Sequence, residues 1–192
     1  VAGRIGAQGD ELAPLDEAAI EAVAERIAAE GYGAVAIGFI HSYVNPAHER
    51  RAREIIAAKV AAPISISSEV SPQMREFERF NTVCANAYVR PQMADYLERL
   101  RVRLKEMGAT CPVFMIHSGG GLISVETAAE FPVRLVESGP AGGAMFAADV
   151  AERLVGRDNV ERELDPSMGA EDFSFMLQAK PGAFARLGQG GA

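Results

Sequence analysis

The stretch Ser138-Gly139-Pro140-Ala141-Gly142-Gly143 stands between two apolar segments. Before it runs Val133 to Val136, interrupted by Arg134 and closed by Glu137. After it come Met145, Phe146, Val150 and Leu154, which recur at helical spacing. The pattern predicts a strand, a glycine turn and a helix, in that order. Glycine lets a backbone approach a ligand, and the first N–H groups of a helix are unpaired at its positive dipole end. Such a unit can hold an anion, or it can be no more than a tight strand-to-helix connection. Neither the terminal Gly-Lys-Ser/Thr of a phosphate loop nor G-x-G-x-x-G is present.

Working back towards the start, the same alternation recurs. Asp16 is placed to cap a helix whose buried stripe is Ile20, Val23, Ala24 and Ile27, with Gly31 and Gly33 ending it. Ala34 to Ile40 is apolar on both faces, as in a strand covered by helices. Asn45-Pro46 starts a second helix that buries Ala52, Ile55, Ile56 and Val60, and Ile64 to Ser67 alternates as a strand. Residues 75–107 read as helix, with Phe77, Phe80, Cys84 and Ala87 on the inner stripe and a break or kink at Pro91. Val113 to Ile116 reads as another buried strand, Ser124 caps a short helix, and Pro132 ends it. Alternating strands and helices of these lengths predict an α/β fold with a largely parallel sheet.

Ligands on such sheets collect at the carboxyl ends of strands. Three polar or glycine turns fall there, which makes His41, Ser42, His117, Ser118, Gly119, Gly120, Ser138, Gly139, Gly142 and Gly143 the candidate cleft residues. No catalytic residue can be assigned among them. His41, His48 and His117 lack the spacing of a metal site, so no metal ligands are expected. His48 reads as an early helix residue, solvated or touching the preceding turn. Arg75 and Arg79, one turn apart, either fork an anion or belong to a solvated face shared with Glu76 and Glu78; the alternation favours the second. Glu171 and Asp172 are adjacent on a predicted helix and point in different directions, so first-turn dipole stabilisation is favoured over acid–base work. Cys84 on an apolar stripe reads as inert core.

Composition narrows the function classes. A net charge of -7 and a pI near 5.1 give no electrostatic support for nucleic acid or an anionic membrane. The longest apolar run is far too short to span a bilayer, no export leader is evident, and two cysteines outside any C-x-x-C suit a reducing, cytoplasmic setting. Val1 in place of Met points to a piece of something longer.

Six segments in order resemble the hydantoinase A / 5-oxoprolinase family. They are His41 to Glu49, Ser67 to Val70, Arg75 to Arg79, Asn86 to Pro91, the glycine turn at Ser118, and Ser138 to Gly143. The resemblance covers about residues 1–146 and implies a partial actin-like ATPase (ribonuclease H-like) fold, ATP with Mg, and cyclic amides such as hydantoins or 5-oxoproline as substrates. In carboxylase relatives it implies ketones. A partner subunit of hydantoinase B type is implied as well. The family's Asp-x-Gly-Gly-Thr-x-Thr-Asp phosphate loop and its later Gly-Gly-Thr segment have no counterpart here. The expectation is therefore a fragment that is inactive alone. Residues 147–192 form a short α/β tail that resembles the C-terminal part of hippurate hydrolase-type metal-dependent amidohydrolases, over Ala148 to Gly156 and Asp165 to Leu177. It lacks that family's metal ligands, so no metal of that type is expected. The two resemblances meet between Ala144 and Val150. A piece of such an amidohydrolase, or a non-catalytic interaction module, is the alternative reading.

Overall fold

The computed structural model describes residues 1–160. These form two compact units, Val1–Cys111 with Ala129–Val133, and Pro112–Ala128 with the chain from Arg134 on. The predicted helix around Glu171 and Asp172 and the Asp165 to Leu177 segment lie outside the described residues.

In the first unit, β1 (Arg4–Ile5) and β2 (Glu11–Ala13) pair antiparallel across the turn at residues 6–10. Helix α1 (Glu17–Glu30) starts where Asp16 accepts the Ala19 N–H at 3.0 Å and stops at Gly31, whose φ of 69° suits a residue without Cβ. Strand β3 (Val35–Ile37) leads to α2 (Ala47–Ala57) and then to β4 (Ile64–Ile66), which pairs parallel to β3 with Val35 opposite Ile64. This is the βαβ unit that the alternation predicted. Its core joins Ile20 and Ala24 of α1, Val35 and Ile37 of β3, Ala52, Ile55 and Ile56 of α2, and Ile66 of β4. A short α3 (Ser67–Val70) precedes α4 (Glu76–Glu106), which continues through Pro91 without a break, at the cost of one helical hydrogen bond.

The second unit holds a hairpin, β5 (Phe114–Ile116) with β6 (Leu122–Ser124). Helix α5 (Val125–Glu130) begins where Ser124 Oγ accepts the Thr127 N–H at 3.2 Å, and α6 (Ser138–Val155) follows. Among the described residues the sheets are three two-stranded pairs, of which only β3–β4 is parallel. The other two connect through short turns, and a turn of that length permits only antiparallel pairing.

Two local expectations give way. The apolar run Val133–Val136 is not a strand: Pro132–Leu135 is a 3-10 turn, and the glycine stretch from Ser138 forms the first turns of α6 itself. The inner face of α4 is also offset. Its buried residues are Arg79, Val83, Asn86, Ala87 and Leu97, while Phe77 is 76% exposed and Cys84 is exposed. Ala87 keeps its predicted place, and Phe80 packs so close to Gly38 that a Cβ there would stand 2.6 Å from its ring. The offset arises because Arg79 and Asn86 find polar partners inside. Asn86 Nδ2 donates to Ser65 Oγ at 3.0 Å and to the Glu130 carbonyl at 3.1 Å, and its Oδ1 accepts the Val133 N–H at 3.2 Å. Buried polar groups are tolerated when satisfied in this way.

Ile66→Ala, at a 1% exposed core position, is expected to lower stability by about 2–5 kcal/mol in urea unfolding, through lost burial and the cavity left behind. Phe77→Ala is expected to change it by about 0.5 kcal/mol or less; comparable losses for the two would place the inner face of α4 on the predicted stripe instead.

Candidate functional site

The sequence after β3 turns sharply. His41 has φ 59°, an uncommon conformation for a residue with a side chain, and its carbonyl accepts the Val44 and Asn45 N–H groups at 3.0 and 3.2 Å. The His41 N–H donates to Glu76 Oε1 at 3.3 Å, and ring Nδ1 lies 2.9 Å from the Ile5 carbonyl oxygen. Asn45 Nδ2 reaches the Gly9 carbonyl at 2.7 Å. The turn is thus tied to α4 and to the β1–β2 hairpin at once.

Beneath it lies a polar cluster that the sequence did not announce. Glu49, in the first turn of α2, is fully buried. Its Oε1 accepts from the Phe39 N–H at 2.9 Å and from Ser67 Oγ at 2.5 Å, and its Oε2 accepts from the Ser68 N–H at 2.8 Å. Ser42 Oγ is 2.7 Å from Glu49 Oε1 and 2.7 Å from the Phe39 carbonyl, and its single proton serves one of them at a time. Ser67 Oγ in turn accepts from Arg79 Nε at 3.0 Å. The Arg79 guanidinium, also fully buried, donates to the Phe39 carbonyl at 2.8 Å and the Gln73 carbonyl at 3.1 Å, and it stacks over Tyr43 and Phe80. Arg79 is therefore not on a solvated face; Arg75, paired with Glu78 at 3.6 Å, is. Ser42 faces inward, onto Glu49. His48 is buried too, which removes the solvated one of its two expected placements, with Nε2 2.7 Å from Glu11 Oε1. Beside β3 opens a cavity of about 420 Å³, lined by apolar residues such as Ile20, Val35, Ile37, Ile56 and Phe80.

In the second unit the β5–β6 turn carries His117 to Gly121. His117 donates its N–H to the Gly121 carbonyl at 3.0 Å, and Gly120, at φ 78°, closes the turn onto the His117 carbonyl at 2.9 Å. Gly119 N–H donates to His117 Nδ1 at 3.0 Å. Ser118 gives both its N–H and its hydroxyl to the Arg134 carbonyl, at 2.8 and 2.7 Å. Within this unit α6 packs against the same hairpin. A Cβ on Gly142 would stand 3.2 Å from Ile116 Cδ1, and one on Gly120 would stand 3.8 Å from Met145 Sδ. Gly142 thus permits helix-on-strand contact, whereas a Cβ on Gly139 would meet nothing within 4 Å. At the start of α6, Glu137 provides no side-chain cap, so Ser138 and Gly139 present helix-end N–H groups, and Pro140 has none.

Glu49→Ala is expected to lower stability by about 3–5 kcal/mol, since it strands the Phe39, Ser67 and Ser68 donors together. Arg75→Ala, at an exposed pair, is expected to cost at most about 1 kcal/mol. Equal losses in urea unfolding would mean that the buried cluster carries no special weight. Glu76 supplies a pH dependence. Burial works against its charged form, but the His41 N–H, its own N–H and Arg79 outweigh this and hold the carboxyl below its ordinary value. With the folded value depressed, this stabilisation is complete above about pH 4.5 and is lost as pH falls through the lower folded value. Glu76→Gln keeps an acceptor for His41 without titrating, so its stability is expected to fall less on acidification than that of the parent. Parallel acid profiles would remove Glu76 from that role.

Family comparisons bear on both units. The hydantoinase/oxoprolinase N-terminal region matches residues 1–60, and the hydantoinase/oxoprolinase model matches residues 79–160, through the Ala144 to Val150 stretch. The caprolactamase subunit alpha of Pseudomonas jessenii is 38% identical over 178 residues, covering 92% of this chain and 25% of that protein. The acetone carboxylase beta subunit of Xanthobacter autotrophicus is 32% identical over 152 residues, covering 76% of this chain and 21% of its own length. The crystal structure of the ATP-dependent caprolactamase from Pseudomonas jessenii superposes with a TM-score of 0.73 at 38% identity, over 80% of this chain and 22% of that one. The chain therefore spans about a quarter or less of the length of these relatives. With both family models in chain order and a fold match at that identity, the chain belongs to the hydantoinase/oxoprolinase family.

Proposed function

We propose that this chain is part of an ATP-dependent enzyme that opens a cyclic amide. The observation that supports it most is the 38% identity to an ATP-dependent caprolactamase with a TM-score of 0.73. Because the chain spans about a quarter of that relative's subunit, its described residues supply ligand contacts rather than the whole machinery. We assign such contacts to His41 within the first unit and, separately, to the His117–Gly120 turn, Ser138 and Gly139 within the second. Gly142 and Gly143 support them from within α6. The architecture we assign to the complete enzyme is the actin-like, ribonuclease H-like one, to which the β3–α2–β4 unit would contribute.

ATP fits the open end of α6 in one respect. Helix-end N–H groups at Ser138 and Gly139 suit a phosphate oxygen, and the free space at Gly139 lets it approach. Glu137 beside them carries the wrong sign for that role. When bound, ATP supplies the free energy for opening a stable ring. Magnesium accompanying it takes most of its ligands from phosphate and water, and among the described residues no three His, Cys, Asp or Glu side chains converge. The caprolactamase and acetone carboxylase relatives are subunits, which supports action together with a partner subunit, in this reading of hydantoinase B type. Among the described residues no helix is long and apolar enough to cross a membrane; we place the chain in the cytoplasm. Acetone carboxylase similarity supports a second reading, ATP-driven carboxylation of a ketone. The product separates the two readings, a ring-opened amino acid against a keto acid. The amidohydrolase resemblance of the tail gains no support: its Ala148 to Gly156 part lies within the hydantoinase/oxoprolinase match, and its Asp165 to Leu177 part lies outside the described residues.

Gly139→Ala provides the test. Filling that space is expected to weaken ATP binding about tenfold, the loss of one hydrogen bond to a charged acceptor. It should leave stability unchanged or raise it by up to about 1 kcal/mol, because Ala is the better helix former. Calorimetric ATP titrations of the chain with its partner subunit provide the measurement; unchanged affinity in the variant would take the nucleotide away from α6.

A further inference from the structure

The two histidines at strand ends are held by opposite kinds of hydrogen bond. At His41 the partner of Nδ1 is the Ile5 carbonyl oxygen, 2.9 Å away. A carbonyl only accepts, so Nδ1 carries the proton. The neutral ring then leaves Nε2 with a lone pair and no hydrogen. The backbone keeps the ring in this state. Ile5 is 2% exposed in β1, and the His41 main chain is fixed by the Glu76 contact and by the turn to Val44 and Asn45. The ring edge also meets Tyr43, with centroids 6.2 Å apart.

At His117 the partner of Nδ1 is the Gly119 N–H, 3.0 Å away. An N–H only donates, so Nδ1 holds the lone pair and the neutral ring carries its proton on Nε2. Two glycines make room for this ring. A Cβ on Gly119 would stand 2.7 Å from His117 Cε1, and one on Gly121 would stand 2.5 Å from Nε2. Both residues are half-buried, and neither Nε2 is given a hydrogen-bond partner by these contacts.

We propose that the chain presets these imidazoles in opposite tautomers: His41 offers Nε2 as an acceptor of a proton or hydrogen bond, and His117 offers Nε2–H as a donor. Each assignment is made within its own unit. The ligand chemistry follows from the polarity. His41 takes an N–H or O–H group, and His117 takes a carbonyl or phosphate oxygen. Each match is made within its own unit: an amide N–H is one such group for His41, which rests on the function proposed above, and a carbonyl or phosphate oxygen is one for His117. The tautomers themselves do not depend on it. His41 with Ile5 and His117 with Gly119 then form two positioned pairs, in which the backbone partner sets which ring nitrogen does the work.

Long-range proton–nitrogen correlation spectra of the full chain, labelled at its three histidines and recorded above their titration, test this directly. Single replacements of His41, His48 and His117 by Gln assign the signals. His41 is expected to show Nε2 as its unprotonated nitrogen, and His117 to show Nδ1. His48, which donates from Nε2 to Glu11, serves as the internal reference with the same tautomer as His117. The same tautomer at His41 and His117 would overturn the proposal. Gly119→Ala should displace the His117 ring and mix its tautomers while leaving His41 unchanged. An unaltered His117 pattern in a folded Gly119→Ala chain would also overturn it. If that variant does not fold, the parent spectrum still decides.

Ligand spectra separate this from the proposed function. With ATP and the partner subunit present, caprolactam is expected to shift the His41 signals, whereas its N-methyl derivative, which has no N–H, is expected to leave them in place. A His41 shift with the N-methyl compound equal to that with caprolactam would refute the acceptor role. Opposite tautomers with no shift from either lactam would uphold the proposal and refute the cyclic-amide function.

Discussion

A carboxylate with no access to water, Glu49, is the constraint around which residues 39–79 are arranged. A charge taken out of water is tolerated only when donors surround it, and the chain supplies them from two places. Phe39 and Ser42 come from the turn after β3 and Ser67 and Ser68 from the start of α3, while α2 provides the carboxylate itself. Arg79 from α4 closes the arrangement through Ser67 and the Phe39 carbonyl. The connection after β3 is therefore fixed from beneath by three elements, α2, α3 and α4. That is what allows His41 to sit in a left-handed conformation, since backbone strain persists where surrounding contacts over-determine it.

Most of the local architecture was legible in the sequence, and for definable reasons. Asp16, Gly31 and Ser124 mark helix ends through bonds to residues within four positions, and the βαβ unit follows from alternating apolar runs. The inner face of α4 was not legible. Arg79 and Asn86 are buried because each meets a carbonyl 40 or 44 residues away in the chain, information that no hydrophobic period contains. Charge alternation with Glu76 and Glu78 made Arg79 look like a surface residue. The 3-10 turn at Pro132–Leu135 was hidden for a different cause. Its apolar residues have the composition of a strand, but Pro132 cannot donate to a sheet and Ser138 already begins the next helix.

Of the candidate site, the positions were legible and the roles were not. His41 and the turn from His117 to Gly120 do follow strands, as the α/β pattern required. Ser42 was placed beside His41 by sequence, yet its hydroxyl is engaged by Glu49. Gly139 and Gly142, three residues apart in one motif, divide their work: one faces open space and the other makes room for Ile116. Only the surroundings of each glycine separate an opening for a ligand from a packing contact. Similarly, no sequence pattern distinguishes an imidazole held by a carbonyl from one held by an amide.

Strand β3 carries one further consequence. Among the described residues it pairs with β4 alone, and consecutive residues from Val35 to Ile40 line the apolar cavity beside it. A strand with apolar neighbours and a single partner is a template for adding another strand. A segment pairing along this edge would act as an intramolecular guard against aggregation, because it would occupy the edge that a second molecule could otherwise use. The order of assembly then becomes a matter of solubility, since an open, apolar edge strand is exposed to wrong partners for as long as it stays uncovered.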